Sequence, residues 1–262
     1  MFIDARQIEE GSLLQTNVCI IGGGIAGITL SLELIRQGIP CYLLESGGFG
    51  PDPATQDLYQ GENIGLSYIS ADACRSRYFG GSSNCWGGWC GPMEPLDFEK
   101  RDWVSNSGWP FDLSELVSYY NRSHDILKLG PFNYDPGYWE KLIYRDDVKR
   151  MPLKDLPIRD TISQFSPPVR LGSLYRDKLR NSKKVNVYLY ANVVSLLTDE
   201  SAGTVTSVKV ATLNGNTFDI AASVVILATG GIENARCIGG CVRRARRATT
   251  GLAADYFGFR NF

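Results

Sequence analysis

The chain has 262 residues, of which 44% are hydrophobic and 21% are charged, and its formal net charge is −1. A chain of this length buries a core without disulfide or metal support, and its near-neutral balance argues against nucleic acid as a partner. It contains no apolar run long enough to span a membrane and no signal-peptide pattern, so we expect a cytoplasmic protein without a membrane span.

The first informative stretch is a short apolar run at 18–21 that stops at a glycine-rich turn. Glycines at 22, 24 and 27 fit the pattern Gly-x-Gly-x-x-Gly, and residues 25–37 then predict a helix that ends at Gly38. A strand, this glycine pattern and a helix in that order are typical of dinucleotide-binding folds.

Each glycine of this turn has a predicted mechanical role. Gly22 permits the tight strand-to-helix turn, Gly24 lets the backbone approach a pyrophosphate, and Gly27 lets the helix pack on the strand. We expect the phosphates at the helix N-terminus, beside Ile25 and Ala26, where free N–H groups and the helix dipole favour negative charge.

A second predicted strand, 39–44, ends at Glu45 and is followed by Ser46. A carboxylate at this position is typical of one that accepts hydrogen bonds from an adenosine ribose. It also repels a 2′-phosphate, which disfavours NADP. The pattern alone does not separate FAD from NAD, and an NAD-binding dehydrogenase stays an alternative.

Residues 75–88 form a second glycine-rich segment with the composition of a loop rather than of a strand or helix. Glycines mixed with Ser and Asn can bring N–H and hydroxyl donors close to a planar ligand. A tight surface loop without a ligand is the alternative reading. The candidate contacts here are Gly81, Ser82, Ser83, Asn84 and Trp86.

Asp112 and Glu115 predict the start of a helix that runs to about Leu127 and carries His124, the only histidine. We expect His124 to be a partly exposed structural residue rather than a catalytic one. Residues 128–170 predict irregular structure, with aromatic side chains that serve core packing rather than a substrate channel. The seven cysteines, including the pair Cys85 and Cys90, lack the common zinc spacing, so we expect reduced thiols and no metal site.

The second half of the chain predicts strands at 185–189, 193–198, 204–213, 217–220 and 223–228. Asn214-Gly215 is a strong hairpin signal. We therefore predict an α/β fold: a Rossmann-like parallel sheet of the FAD/NAD(P)-binding type, a small antiparallel hairpin sheet and an irregular helical insertion.

Taken together, these motifs resemble the glucose–methanol–choline (GMC) flavin oxidoreductases, closest to the branch of sugar and sugar-acid dehydrogenases and pyranose oxidases. The residues that carry the resemblance are the glycines at 22–27 with Glu45-Ser46-Gly47-Gly48, the segment 80–88, Asp97-Phe98 with 106–110, and 228–236.

This resemblance implies FAD as the cofactor. The backbone at Val193 would hold the adenine, Ala228 and Thr229 would close over the ADP half, and the segment that contains Trp86 would run along the flavin ring. Cys85 stands where part of the family has a flavin-linked histidine, so a histidyl link is not expected.

The resemblance also implies oxidation of a CH–OH group of a sugar, polyol or other alcohol, by hydride transfer to flavin N5. It divides the chain into an incomplete FAD-binding domain, 1–236, with an insertion at about 96–170, and an atypical Arg-rich tail, 237–262.

The likeness stops after Arg236, and no residue matches the family's catalytic base. We therefore expect the C-terminal substrate domain to be absent from this chain. The alternative to a complete enzyme is a truncated, non-catalytic FAD-binding fragment, or half of a split enzyme whose other half is a separate chain.

Overall fold

The structure, a computed structural model, describes residues 1–143, 153, 158–167, 169–201 and 203–239. The four arginines of the predicted tail, at 243, 244, 246 and 247, lie outside these residues. The chain divides into two compact units, the first comprising Met1–Cys85 and the chain from Arg170 onward, and the second comprising Trp86–Val169. The predicted domain boundaries stay a prediction.

The first unit is built on one sheet of seven strands, in the order β1-β6-β3-β2-β9-β8-β7. The strands from β1 to β9 in this order are parallel, and β8 and β7 continue the sheet in antiparallel pairing. Their bounds are β1 Phe2–Asp4, β2 Leu13–Ile21, β3 Cys41–Leu44, β6 Val185–Leu189, β7 Asn192–Thr198, β8 Val205–Ala211 and β9 Thr217–Leu227. The predicted α/β fold class with a Rossmann-like sheet is confirmed.

The predicted break in the last strand is wrong, β2 begins at Leu13 rather than at residue 18, and β3 begins at Cys41 rather than at residue 39. Residues 217–220 and 223–228 were expected to form two strands, but β9 is one continuous strand of 11 residues. Its first half pairs with β8, and the strand pairs with β2 from Asp219 to Leu227. The small side chains at 221–223 resemble a strand break, yet backbone pairing with β2 carries the strand through them. The hairpin is therefore joined to the parallel sheet.

Helix α1 (Ile25–Gln37) has the predicted bounds. Gly38 ends it in the left-handed conformation, φ 74°, and donates its N–H to the carbonyl of Ile35. The remaining helices of the first unit are short: α2 Pro53–Gln56, α3 Ala71–Cys74, α7 Leu171–Leu174 and α8 Arg176–Asn181. Residues 231–239 are also helical.

The core of the first unit lies on both faces of the parallel strands, as continuous apolar strands predict. Fully buried side chains on these strands include Ile20, Leu43 and Val187, and Ile28 of α1 is buried as well. Cys19 and Cys41 are buried on adjacent strands, as expected of small hydrophobic residues.

The second unit contains α4 (Pro95–Phe98), α5 (Leu113–Leu127), α6 (Pro136–Leu142) and a two-stranded antiparallel sheet of β4 (Trp89–Cys90) and β5 (Gln164–Phe165). Asp112 caps α5 by accepting the N–H of Ser114 at 2.8 Å. Within the described residues, every helix lacks the length or the apolar character that crossing a bilayer requires.

The expectation that His124 is partly exposed is wrong, because this residue is 5% exposed. Its Nδ1 lies 2.7 Å from the carbonyl oxygen of Gly130, and its Nε2 lies 3.1 Å from the hydroxyl of Tyr134. Phe132 and Tyr134 pack edge-on against the ring. Both ring nitrogens of His124 have partners within the second unit, and its structural rather than catalytic role stays a prediction.

Candidate functional site

The candidate site of the first unit lies at the carboxyl ends of β2, β3 and β9. Helix α1 leads the chain from β2 to its neighbour β3 on one side, whereas β9 lies on the other side of β2. In open α/β sheets this change of direction creates the crevice in which ligands bind. The glycine turn that follows β2 lies at this point.

Gly22 and Gly27 are required by the packing of this turn. Gly22 has a φ of 106°, and a Cβ atom there would lie 2.6 Å from the carbonyl oxygen of Ala228. A Cβ atom on Gly27 would lie 1.9 Å from the carbonyl oxygen of Gly22. Both glycines therefore let α1 and the strands approach one another closely.

Gly24 differs from these two because the nearest atom to a Cβ atom there, the Cα of Gly81, is 3.9 Å away. Gly24 is the N-cap of α1 and provides no side-chain capping bond. Within the described part of the chain, the backbone N–H groups of Ile25, Ala26 and Gly27 have no acceptor. Free N–H groups at the start of a 13-residue helix favour a negatively charged group.

Glu45 lies directly after β3 and is 6% exposed. Its Oε2 accepts the N–H of Gly23 at 2.9 Å, and its Oε1 accepts the N–H of Gly47 at 2.9 Å. Burial raises the pKa of the Glu45 carboxyl, and these two backbone donors oppose that shift. Each carboxylate oxygen has a second lone pair, so the geometry leaves acceptor capacity for ribose hydroxyls.

The two glycine-rich segments, far apart in sequence, meet at this site. The N–H of Gly80 donates to the carbonyl of Gly23 at 2.8 Å. A Cβ atom on Gly81, whose φ is 52°, would lie 2.9 Å from the Cα of Gly24. The contact requires glycine on the 80–81 side and produces a surface lined by backbone rather than by side chains.

The second glycine segment was predicted to be a loop, but Gly81–Asn84 forms a 3₁₀ turn. Ser83 is fully buried, donates to the carbonyl of Gly80 at 2.6 Å and accepts the N–H of Leu171 at 3.2 Å. The amide of Asn84 donates to the carbonyl of Phe79 at 3.1 Å. These two side chains hold the turn, whereas Ser82 is exposed.

Trp86 and Cys85 stand at the end of this segment. Trp86 belongs to the second unit, where its indole N–H donates to the carbonyl of Val169 at 3.0 Å. Cys85 is exposed, and its sulfur accepts the hydroxyl of Ser76 at 3.3 Å. The predicted contact of Trp86 with a flavin ring stays a prediction.

The predicted adenine and ADP contacts also lie at the ends of these strands. The Ser46 hydroxyl donates to Oδ1 of Asn192 at 2.5 Å, which places Val193 next to the Glu45-Ser46 corner. The N–H of Ala228 donates to the carbonyl of Ile21 at 2.8 Å, and the hydroxyl of Thr229 donates to Asn234 at 2.6 Å. The structure thus brings together the predicted residues of the first unit, and their contact with a cofactor stays a prediction.

A buried charge network beside this corner was not predicted from the sequence. Arg77 donates to the Ser46 hydroxyl at 2.8 Å and pairs with Glu233 at 3.0 Å. The Arg77 and Glu233 side chains are 11% and 10% exposed. Glu233 also pairs with Arg236, and Arg77 lies over the ring of Tyr59 at 4.7 Å. The network ties the segment before Gly80 to the helical residues 231–239. Arg77 and Glu233 are 156 residues apart in the sequence, so no local pattern reveals the pair.

No protein-family model matches the chain. A 6'''-hydroxyparomomycin C oxidase from Streptomyces lividus is 28% identical over 118 residues, which cover 40% of this chain and 21% of that protein. A paromamine 6'-oxidase from Streptomyces fradiae is 26% identical over 120 residues, which cover 40% of this chain and 22% of that protein. The match therefore spans about a fifth of each of these relatives.

Two solved structures share the fold. A formate oxidase superposes with a TM-score of 0.53 at 19% identity, covering 88% of this chain and 48% of that one. A pyridoxine 4-oxidase from Mesorbium loti superposes with a TM-score of 0.51 at 17% identity, covering 84% of this chain and 50% of that one. In its motifs and in its fold the chain is similar to the N-terminal portion of the GMC flavin oxidoreductases, and this family resemblance is confirmed.

Proposed function

We propose that the chain binds FAD at the carboxyl edge of its parallel sheet and belongs to an oxidoreductase that acts on a CH–OH group of a sugar, polyol or other alcohol. The observation that carries the proposal is the meeting of Gly24 with Gly81 at the uncapped start of α1. This arrangement offers backbone donors and no side chain, which suits a diphosphate. The names of the two Streptomyces relatives support an oxidase acting on paromamine-type compounds.

The residues present fit the cofactor. The free N–H groups of Ile25 and Ala26 would hold the pyrophosphate, and Glu45 would accept the hydroxyls of the ribose. The backbone at Val193 would hold the adenine. Ala228 and Thr229 would close the ADP half, and Ser82, an exposed residue of the second glycine segment, would offer its hydroxyl.

When bound, FAD supplies the acceptor for a hydride that leaves the substrate carbon. What the chain contributes is positioning: buried Glu45 fixes the glycine turn through Gly23 and Gly47, and the Arg77 network fixes the segment that precedes Gly80. The hydroxyl proton of an alcohol also requires a base. His124, the sole histidine, has both ring nitrogens engaged within the second unit.

This last observation favours a second candidate function, a flavin-binding chain that does not turn over substrate by itself. In this candidate function, substrate turnover belongs to a longer protein or to a complex with a second polypeptide, and not to this chain alone. An NAD-binding dehydrogenase is the third candidate, because the glycine pattern alone serves both dinucleotides.

The test is reconstitution of the purified full chain with FAD, removal of unbound cofactor by gel filtration, and measurement of flavin absorbance. The same samples are then assayed for dye reduction with paromamine, glucose and simple alcohols. Co-eluting flavin supports the proposal, and turnover distinguishes an active chain from a binding chain. A colourless protein with no thermal shift in saturating FAD, or a shift with NAD alone, contradicts it.

A further inference from the structure

The second unit contains an open cavity of about 650 Å³ that the proposed flavin site does not use. It lies between the end of α4 and the start of α5. Its lining combines aromatic rings with carboxylates: Phe98, Glu99, Trp109, Phe111, Asp112 and Glu115. We infer that this cavity binds a sugar carrying ammonium groups, with the sugar face on Trp109 and the ammonium groups at Glu99 and Glu115.

The aromatic side of the cavity is held in place by its backbone. The N–H of Trp109 donates to the carbonyl of Phe98 at 3.2 Å. Ser107 closes the intervening loop, since its hydroxyl accepts the N–H of Arg101 at 2.8 Å and donates to the carbonyl of Arg101 at 3.0 Å. Gly108 has a φ of 87° and packs closely against Lys100. A Cβ atom on Gly108 would lie 3.0 Å from the backbone nitrogen of Lys100. The loop that carries the Trp109 indole is thus held closed by its own hydrogen bonds.

The rings of Trp109, Phe111 and Phe98 pack against one another but leave part of the aromatic surface exposed. Trp109 lies 5.6 Å from Phe111 at 35°, and Phe111 lies 6.0 Å from buried Phe98 at 58°. Trp109 is nevertheless 54% exposed. A rigid indole supported from behind is suited to stacking against the C–H face of a pyranose, and it attracts a nearby cation through its quadrupole.

Among the described residues, the charges that line the cavity have one sign. Three of these residues are carboxylates and none is a lysine or an arginine, although Lys100 and Arg101 follow Glu99 in the chain. Asp112 is committed to capping α5, where it accepts both the N–H and the hydroxyl of Ser114. Within the described ranges, no ion pair is formed by Glu99 or Glu115, so these two remain to receive a cation.

These features select among ligand classes. The carboxylates exclude an anion despite the N-terminus of α5, since one helix dipole offers less than a full positive charge. A neutral sugar would leave two acidic side chains unused. The volume lies within the range of small-molecule sites and accommodates an amino disaccharide. The inference deepens the proposed function because it names charged sugars as the substrate class. It rests on the proposed function only in treating the bound sugar as a substrate.

Calorimetry on the full chain tests the inference with the glucosamine dimer of chitosan as the probe and N,N′-diacetylchitobiose as its uncharged counterpart. We expect the charged dimer to bind about tenfold more tightly than the acetylated one, and added salt to reduce the difference. The double variant Glu99→Gln, Glu115→Gln should lose the preference. Trp109→Ala should weaken the binding of both dimers.

Matched controls lie close by. Trp103→Ala removes an 81% exposed indole from the same loop but outside the cavity, and Glu62→Gln removes an exposed carboxylate of the first unit. Both should bind like the parent chain. The inference would be overturned if the chain bound the two dimers with equal affinity, or if it bound oligolysine as tightly as the charged dimer. It would also be overturned if the double variant melted normally and kept the preference for the charged dimer. FAD titrated into the same samples separates the proposals: loss of flavin binding with retained sugar binding contradicts the proposed function alone.

Discussion

A Cβ atom on Gly27 would lie 1.9 Å from the carbonyl oxygen of Gly22, within the turn that joins β2 to α1. The neighbour is backbone, which does not rotate away as a side chain would. Gly27→Ala must therefore push α1 off the sheet, and we expect it to lower the free energy of unfolding by about 3 kcal/mol. Urea titration followed by circular dichroism measures this loss, and an unchanged midpoint would refute the packing account.

Gly24→Ala provides the contrasting case. Its Cβ atom meets nothing closer than 3.9 Å, and its φ of −83° is open to alanine. We expect the free energy of unfolding to fall by less than about 1 kcal/mol, the cost of alanine at an N-cap. FAD affinity should nevertheless drop, because the methyl group occupies the approach to the free N–H groups of α1. Flavin affinity equal to that of the parent chain would show that the diphosphate lies elsewhere.

Glu45→Gln tests the buried carboxylate. One amide oxygen cannot accept from both Gly23 and Gly47 as two carboxylate oxygens do, so one buried N–H loses its acceptor. We expect a loss of about 1–3 kcal/mol in the free energy of unfolding at neutral pH. FAD binding should weaken as well.

The pH dependence of this loss has a definite sign. Burial raises the pKa of Glu45, so the folded chain holds the proton more tightly than the unfolded chain does. The stability contributed by this proton is present at low pH and is lost as pH rises through the raised pKa. Urea titrations of parent and Glu45→Gln at several pH values should show the parent's advantage shrinking with rising pH. An advantage that stays constant, or that exposed Glu62→Gln reproduces, speaks against a raised pKa.

Glu233→Gln tests the charge network that Arg77 forms beside Ser46. The substitution leaves two guanidinium groups, those of Arg77 and Arg236, without their shared carboxylate. Because Arg77 and Glu233 are about nine-tenths buried, we expect a loss of about 3 kcal/mol in the free energy of unfolding. The exposed pair Arg180–Asp177 provides the control, and Asp177→Asn should cost less than about 0.5 kcal/mol. Similar losses in both variants would mean that burial of the network is unimportant.

Thiol reactivity should differ sharply along the chain. Burial raises the pKa of Cys19 to about 12 and that of Cys41 to about 11, whereas Cys85 is exposed. Since the thiolate is the reactive form, alkylation at mildly alkaline pH should modify Cys85 and spare Cys19 and Cys41. Peptide mass spectrometry identifies the modified sites, and unfolding in guanidinium should make all three react. Modification of Cys19 in the folded chain at the rate of Cys85 would contradict its burial.

Local patterns predicted the part of the fold that local chemistry determines. Gly22 and Gly27 are recognisable because a strand-to-helix turn requires glycine at those positions, and α1 has its predicted bounds because Gly38 permits a left-handed cap. The contact between Gly24 and Gly81 and the pair Arg77–Glu233 depend on how distant segments meet, which no local spacing encodes. His124 was misjudged for the same reason, since its burial comes from Phe132 and Tyr134 folding back over α5.

The pairing of β2 with β9 has a consequence for how the chain is made. These strands lie near opposite ends of the described sequence, yet β9 supplies one entire flank of β2. During synthesis on a ribosome, the nascent β2 therefore keeps an unpaired edge until residues 217–227 have emerged. Such late, non-local closure slows folding and leaves a template for misassembly. We therefore expect the yield of folded chain in heterologous production to depend on chaperones and on growth temperature.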